Sequence, residues 1–195
     1  MTFATAPGAT PLSLEDLAGL IPALTTQGEL NEFEQMNIAK GLRWAKKSRQ
    51  LKSDLLAVHS LLLLHTKMFD QTWRWAGTLR TVELNIGVPI AQIHPQLSQA
   101  CGNAAAQVEF ATCGEREIAV RLHHKLVWIH PFRNGNGRHA RLMADLFLHY
   151  RKQLPLTWGG NASLENEGAI RTEYIAALQE ADRNQFARLV AFATS

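Results

Sequence analysis

Residues 130–141 read HPFRNGNGRHAR and combine residue types that are suited to holding phosphate. Proline disfavours helical geometry in the residue before it, so a helix that precedes this stretch should stop at His130. A glycine-rich loop that leads into a helix directs unpaired backbone N–H groups to one point, where the helix dipole favours negative charge. Gly135 and Gly137 tolerate positive φ and let an anion approach the backbone. The stretch therefore predicts a polyphosphate-binding loop.

Two arginines and the histidine complete this predicted site. Arg138 and Arg141 share a face at the start of the following helix, and guanidinium groups suit phosphate oxygens. His130 can accept a proton near neutral pH, for example from a hydroxyl that attacks a bound phosphate chain in line. The alternative interpretation is a turn between two helices, because Asn-Gly pairs are turn signals by themselves. That alternative does not explain the arginines, the histidine before proline and the apolar Phe132 together, and we expect Phe132 to anchor the loop to the core.

Composition excludes several classes of protein. A chain of 195 residues that is 46% hydrophobic and 19% charged is typical of one globular domain. Cys101 and Cys113 lack CxxC spacing, and the N-terminus lacks a basic stretch followed by an apolar one, which favours a reduced, cytoplasmic protein. We expect no membrane span and no direct nucleic-acid binding, since neither a long apolar run nor a nucleic-acid motif is present. A standard P-loop ATPase is excluded because GxxxxGK[ST] is missing.

The elements that must position the loop are mostly helices. Capping-box spacing at Thr26 predicts a helix to about Lys47, and apolar periodicity predicts others over 53–69, 115–129, from Gly137 to Tyr150, and in the stretch from Ile170 to Val190. Residues 1–12 are predicted as a loose lead-in. One segment differs: Thr81–Ile86 alternates apolar and polar residues, Gly87 follows, and Val88–Ile93 continues, which predicts a β-hairpin packed on helices. The predicted fold is a mainly α, single-domain helical bundle with one short hairpin.

HPFRNGNGRHAR closely resembles the Fic signature HPFx(D/E)GNGRxxR, and the resemblance covers roughly residues 50–192. The stretches GLIP, ELNEFEQMNI and WAGTLRT also resemble the Fic subgroup called mobile mystery protein B. Fic proteins typically transfer AMP from ATP to a hydroxyl side chain of a target protein. The resemblance implies His130 as the base that deprotonates an exposed Ser, Thr or Tyr of the target. It further implies phosphate-binding roles for Gly135, Asn136, Gly137, Arg138 and Arg141.

The resemblance also assigns the hairpin and exposes one departure. The hairpin would be the flap that binds the target segment as an added strand, through Val82, Leu84, Ile86 and Gly87. Asn134 stands where the family has Asp or Glu as a magnesium ligand, and a neutral carbonyl oxygen holds a hard cation more weakly. Magnesium held mainly by ATP is one solution. Three interpretations therefore stay open: AMP transfer, transfer of another phosphate-containing group, and a weakly active or inactive nucleotide-binding regulator.

Many Fic proteins are silenced by a glutamate in an (S/T)xxxE(G/N) motif that pairs with the second motif arginine. Glu29, after Thr25, is the better-placed candidate, although a capping box explains it too. Glu167 lies in the best textual match, Ser163–Gly168, but at the start of a predicted helix. Inhibition by a separate antitoxin-like protein is equally open. The histidines outside the loop, including His65, His123, His124 and His139, and the tryptophans Trp73 and Trp75 are interpreted as packing or surface residues.

Overall fold

The computed structural model describes residues 13–160, 164 and 168–195, and this part of the chain is mainly helical. The predicted lead-in over 1–12 and the candidates Ser163 and Glu167 lie outside the described residues. The helices are α1 (Leu14–Ala18), α2 (Gln27–Lys47), α3 (Arg49–Ser53), α4 (Val58–Phe69), α5 (Ile90–Glu109), α6 (Glu115–Ile129), α7 (Asn136–Tyr150), α8 (Ala169–Ala181) and α9 (Ala187–Thr194).

The long helix α2 begins where its capping box predicts. The Thr26 hydroxyl accepts a bond from the Glu29 N–H at 3.2 Å, and the Glu29 carboxylate accepts one from the Thr26 N–H at 2.9 Å. Further along, α2 contacts α4 backbone to backbone, because a Cβ atom on Gly41 would lie 2.5 Å from the Lys67 carbonyl oxygen. The buried face of α2 thus faces the end of α4, where the Phe69 ring lies against Gly135 of the glycine-rich loop.

Helices α6 and α7 form the centre of the bundle, with α5 and α9 packed against α6 and with α2 and α4 packed against α7. The face of α6 predicted to be apolar, from Ile118 to Ile129, is buried. Each fully buried aliphatic side chain of this kind contributes roughly 1.5–3 kcal/mol relative to exposure. The loop over residues 130–135 connects these two central helices, so both of its ends are fixed by the core.

The predicted β-hairpin is wrong. Within the described residues the only β-pairing is an isolated bridge between Leu20 and Trp73, and most of the predicted second arm, from Ile90 to Ile93, belongs to helix α5. Pro89 is the N-cap residue of α5, where its missing N–H and restricted φ favour a helix start. The Glu83 carboxylate accepts a bond from the Ile90 N–H at 3.1 Å and supports that start. Residues 81–89, called the flap segment below, form an irregular loop.

In the described part of the chain, none of the helices combines the length and the apolar character that a membrane span requires.

Candidate active site

His130 lies at the C-terminal end of α6, in the left-handed conformation with φ 53° and ψ 60°. The helix ends at the residue predicted from Pro131, and a non-glycine residue in this region is strained and keeps the conformation only where its surroundings hold it. The ring nitrogen Nδ1 lies 3.4 Å from the Val127 carbonyl oxygen. Because a carbonyl only accepts, the proton of the neutral ring belongs on Nδ1 and the lone pair on Nε2.

The imidazole of His130 is neutral at pH 7. Burial lowers its pKa to about 4, a change that the Val127 carbonyl opposes and the nearby positive charge of Arg80 reinforces. The ring therefore has the protonation state that a general base requires before reaction.

The loop after His130 is ordered by its own asparagine. The side-chain amide of Asn136 donates to the Phe132 carbonyl and accepts from the Phe132 N–H, both at 2.9 Å. Phe132 is fully buried, which confirms its predicted role as an anchor. Because both ends of the amide are engaged in the loop, Asn136 has its backbone N–H, rather than its side chain, to offer to a phosphate.

Beneath the loop lies His65, which the sequence interpretation missed as a site residue. Its Nε2–H donates to the Asn134 carbonyl at 3.1 Å, and its Nδ1 accepts from the Gly77 N–H at 2.9 Å. The ring stacks on Phe132 with centroids 3.7 Å apart. Burial holds the pKa of His65 well below its usual value, so a neutral imidazole of fixed tautomer supports the loop.

The N-terminus of α7 faces the loop. Gly135 is its N-cap residue, with φ 76°, and a Cβ atom there would lie 2.5 Å from the Phe69 ring, so the position requires glycine. Among the described residues no side chain caps α7, and the first N–H groups of a helix have no acceptor within the helix. The arrangement that the sequence predicted for phosphate binding, a glycine at the start of a helix without a side-chain cap, is present.

The second motif arginine, Arg141, lies beside the loop. If residue 137 carried a Cβ atom, that atom would lie 3.6 Å from Nη1 of Arg141. Burial raises the pKa of the Tyr174 hydroxyl, and the Arg141 guanidinium beside that hydroxyl opposes the change. The Tyr174 hydroxyl is in turn 2.9 Å from Nε2 of His123. Helices α6 and α8 therefore fix the position of Arg141.

The first motif arginine, Arg138, forms an ion pair that the sequence did not predict. Its Nη1 donates to the Glu34 carboxylate at 2.7 Å, and the other oxygen of that buried carboxylate accepts from the Trp73 indole at 2.6 Å. Glu29, the predicted inhibitory acid, is exposed and accepts bonds from Thr25 and Thr26. The structure thus places Glu29 in the capping box of α2, and the acid from α2 that contacts a motif arginine is Glu34.

The residues around Asn134 do not fit a magnesium ion held by the protein. The Asn134 side-chain oxygen accepts a bond from the N–H of Gly135 at 2.5 Å. In the described ranges, the side chains of His, Cys, Asp and Glu form no group of three or more that could hold a metal ion. The role of Asn134 as a metal ligand stays a prediction that this geometry weakens, because its side-chain oxygen is neutral and already accepts one bond.

The flap segment borders His130 without forming a strand. The Arg80 N–H donates to the Pro131 carbonyl at 2.9 Å, and the Val88 N–H donates to the Ile129 carbonyl at 3.2 Å. Gly87, with φ 97°, lies directly on His130. Of the other three residues predicted to bind the target, Ile86 is exposed, whereas Val82 and Leu84 are partly buried.

A third arginine, Arg133, ties the N-terminal helix to the loop. It donates to Asp16 at 3.0 Å, to Glu15 at 2.8 Å and to the Thr81 hydroxyl at 3.2 Å. Helix α1, the loop and the start of the flap segment therefore meet at one side chain.

Comparison with known proteins agrees with this geometry. Residues 52–148 match the family model of the Fic/DOC family. The chain is 26% identical over 124 residues to "Protein adenylyltransferase Fic" of Nematostella vectensis, an alignment that covers 61% of this chain and 29% of that protein. The chain thus spans less than a third of that curated relative.

Solved structures share the fold. The N-terminal Fic domain of a putative cell filamentation protein from Bartonella quintana, with bound ADP, superposes with a TM-score of 0.65 at 18% identity over 89% of this chain and 87% of that one. A Fic domain containing signaling protein from Bacteroides thetaiotaomicron gives 0.64 at 19% identity, over 82% and 66%. Fic-1 from C. elegans gives 0.62 at 22% identity, over 92% and 52%.

Proposed function

We propose, from the premise that residues 52–148 are a Fic/DOC family domain, that this chain transfers AMP from ATP to a hydroxyl group of a target protein. One observation carries the proposal: His130 is held neutral at the end of α6, and the loop that follows it ends at the glycine-bounded N-terminus of α7. The name of the Nematostella vectensis relative and the ADP bound to the Bartonella quintana domain support a nucleotide as the substrate. The placement in the mobile mystery protein B subgroup rests on the sequence stretches alone.

The proposed reaction is an in-line displacement at the α-phosphorus. The oxygen of a target Ser, Thr or Tyr attacks the phosphorus, and a new O–P bond forms as the bond to the oxygen bridging to the β-phosphate breaks. Pyrophosphate leaves, and the hydroxyl proton passes to Nε2 of His130, which carries the lone pair of the neutral ring. Histidine is suited to this transfer because the approach of a phosphate chain raises the pKa of a nearby imidazole.

Positive groups of the chain hold the negative charge of the phosphates. The first N–H groups of α7 provide backbone donors, and Arg141 adds a guanidinium beside Gly137. Arg138 provides a second guanidinium, which Glu34 orients. Magnesium enters as part of the substrate, bound to the phosphates of ATP, because the residues around Asn134 do not form a site for it.

The target protein would contact the flap segment beside His130. Ile86 is 37% exposed there and offers an apolar contact, and Gly87 keeps the segment close to the base. Because the segment is irregular, we propose that side-chain contacts and single backbone bonds, rather than an added strand, place the hydroxyl of the target near Nε2.

The decisive experiment offers α-labelled ATP with Mg²⁺ and a host lysate to the wild-type chain and to His130→Ala. Label on a protein with the wild type, and none with the variant, is the expected result. GTP, UTP and CDP-choline offered in parallel test transfer of a different group. If the wild type labels nothing with any of these donors at any magnesium concentration, the chain is not a transferase of this kind.

A second candidate function is a nucleotide-binding regulator that turns over slowly or not at all. The neutral Asn134 and the ion pair that already engages Arg138 favour it. Calorimetric titration with ATP separates the two functions when it is combined with the labelling experiment. Binding that Arg141→Ala weakens, together with no transfer, would favour the regulator.

A further inference from the structure

Arg80 is a buried arginine that contacts the backbone of His130, of Pro131 and of the flap segment. Its side chain is 1% exposed. Nε donates to the His130 carbonyl at 2.8 Å, Nη1 donates to the Val82 carbonyl at 3.0 Å, and Nη2 donates to the Val88 carbonyl. The backbone N–H of Arg80 also donates to the Pro131 carbonyl at 2.9 Å. One residue therefore joins the start and the end of the flap segment to the predicted base.

The contact with His130 meets a specific need of that residue. In the left-handed conformation its carbonyl leaves the helical hydrogen-bond pattern, and a buried carbonyl without a donor costs about 1–3 kcal/mol. The strain of a non-glycine residue with positive φ adds about 1–3 kcal/mol. The Arg80 guanidinium supplies the missing donor and so stabilises the conformation that sets the direction of the imidazole.

Charge alone does not explain Arg80. Among the residues that the structure describes, its one carboxylate neighbour is Glu83, at 3.4 Å, and the Glu83 side chain is 63% exposed. The guanidinium donates to three backbone carbonyl oxygens, one from each of its nitrogens, which uses the fixed fork of arginine donors. A lysine ammonium group is a compact point charge on a flexible stem and does not present this planar set of donors.

We propose that Arg80 is a positioning residue that holds His130 and the flap segment as one unit, so that a target bound on the flap meets the base at a fixed distance. This inference rests on the proposed function for its consequence in the reaction. Its structural part concerns only contacts within the protein, and these can be measured without any substrate.

The test compares Arg80→Lys and Arg80→Gln with wild type in the full chain. Arg74→Lys is the matched control, since Arg74 is an exposed arginine in the same connection between α4 and α5. We expect kcat for transfer to fall about 100-fold in both Arg80 variants, the cost of a small misplacement of reacting groups. ATP affinity should stay at the wild-type value, because Arg80 does not contact the α7 N-terminus. If Arg80→Lys has the same kcat as the wild type, Arg80 acts through its positive charge alone and the positioning role is overturned.

Two structural readouts keep the inference testable if the wild type transfers nothing. In ¹H–¹⁵N spectra of the His130 ring, both Arg80 variants should shift the Nδ1 and Nε2 resonances, whereas Arg74→Lys should not. In the wild type, the hydrogen-exchange protection factor of the Val88 amide should be of the same order of magnitude as that of the His130 amide, since both belong to one unit. That last measurement needs no variant and also covers the case that Arg80 variants fail to fold. A Val88 amide that exchanges as fast as an unstructured peptide would overturn the proposal.

Discussion

Gly87 packs so closely on His130 that a Cβ atom at position 87 would lie 2.6 Å from the histidine Cβ. Gly87→Ala must therefore move either the flap segment or His130, and its φ of 97° adds strain. We expect transfer activity to fall about 10–100-fold. Gly102→Ala is the control, because a Cβ there meets nothing within 4 Å and should stabilise α5 by about 0.5–1 kcal/mol. Labelling rates measure the activity of both variants. A Gly87→Ala rate equal to that of Gly102→Ala would show that the flap segment can shift away from His130 without loss of activity.

The ion pair between Glu34 and Arg138 should contribute strongly to stability. Glu34→Ala leaves the partly buried Arg138 guanidinium and the buried Trp73 indole without their shared acceptor, which costs about 1–3 kcal/mol. Urea unfolding followed by circular dichroism measures this loss. Glu32→Ala, an exposed acid on the same helix, should change the free energy of unfolding by less than about 0.5 kcal/mol. A similar small change for Glu34→Ala would refute a structural role of the pair.

His65 should support the loop through both ring nitrogens. His65→Phe keeps an aromatic ring against Phe132 but leaves the Asn134 carbonyl and the Gly77 N–H without partners, at about 1–3 kcal/mol each. The same urea experiment detects this change. His59→Phe is the comparison, since the His59 side chain is 59% exposed. ATP binding should weaken in the His65 variant only, and unchanged binding would mean that the loop holds its shape without this support.

A carboxylate at position 134 should create a better magnesium site. Asn134→Asp can keep the bond to the Gly135 N–H while adding a charged oxygen, which hard cations prefer. We expect half-maximal transfer at a lower Mg²⁺ concentration and a higher rate at saturation. Asn103→Asp, on an exposed position of α5, makes the same change in net charge as a control. A fall in activity would show that position 134 is adapted to something other than this metal.

Folding stability should depend on pH through buried histidines. Burial lowers the pKa of His65, His123, His124, His130 and His139, to about 4 for the last two. The unfolded chain binds their protons near pH 6.5, whereas the folded chain does not, so stability is fully present above pH 6.5 and falls as pH drops towards 4. The loss is on the order of 3 kcal/mol for each of His130 and His139. Burial raises the pKa of Asp145 to about 6, which acts in the opposite direction over the same range.

Urea midpoints measured from pH 7.5 to 4 check this dependence. His139→Gln removes one titrating group and should flatten the curve, whereas Asp145→Asn should steepen the fall on acidification. A stability that rises on acidification from pH 7 to 5 would contradict the histidine explanation.

Local sequence signals predicted the parts of the fold that depend on neighbouring residues. The capping box places the start of α2, and Pro131 places the end of α6, because both effects act within a few positions. The helix predicted over 53–69 begins at Val58 instead, after the separate α3. Helix α5 was missed because the alternation around Val88 resembles a strand. Its continuing spacing of Ile93, Leu97 and Ala104, read over a longer window, indicates a helix face.

The supports of the site could not be predicted in this way. Glu34 and Arg138 are 104 residues apart, and His65 lies 69 residues before Asn134. A single acid or histidine on an amphipathic helix carries no signal of its distant partner, because the pairing is decided by how α2, α4 and α7 pack. The loop itself was predictable, since its glycines, its proline and its arginines act on adjacent backbone. Tertiary packing alone determines which side chains hold that loop.

The contact between Trp73 and Glu34 also gives the molecule an optical reporter. Trp73 is 1% exposed, and its indole donates to the carboxylate that engages Arg138. An anion that draws Arg138 towards the loop changes the electric field at this indole, and the emission of Trp73 changes with it. A chain that retains Trp73 as its single tryptophan would therefore report the filling of the loop by fluorescence, before any chemistry takes place.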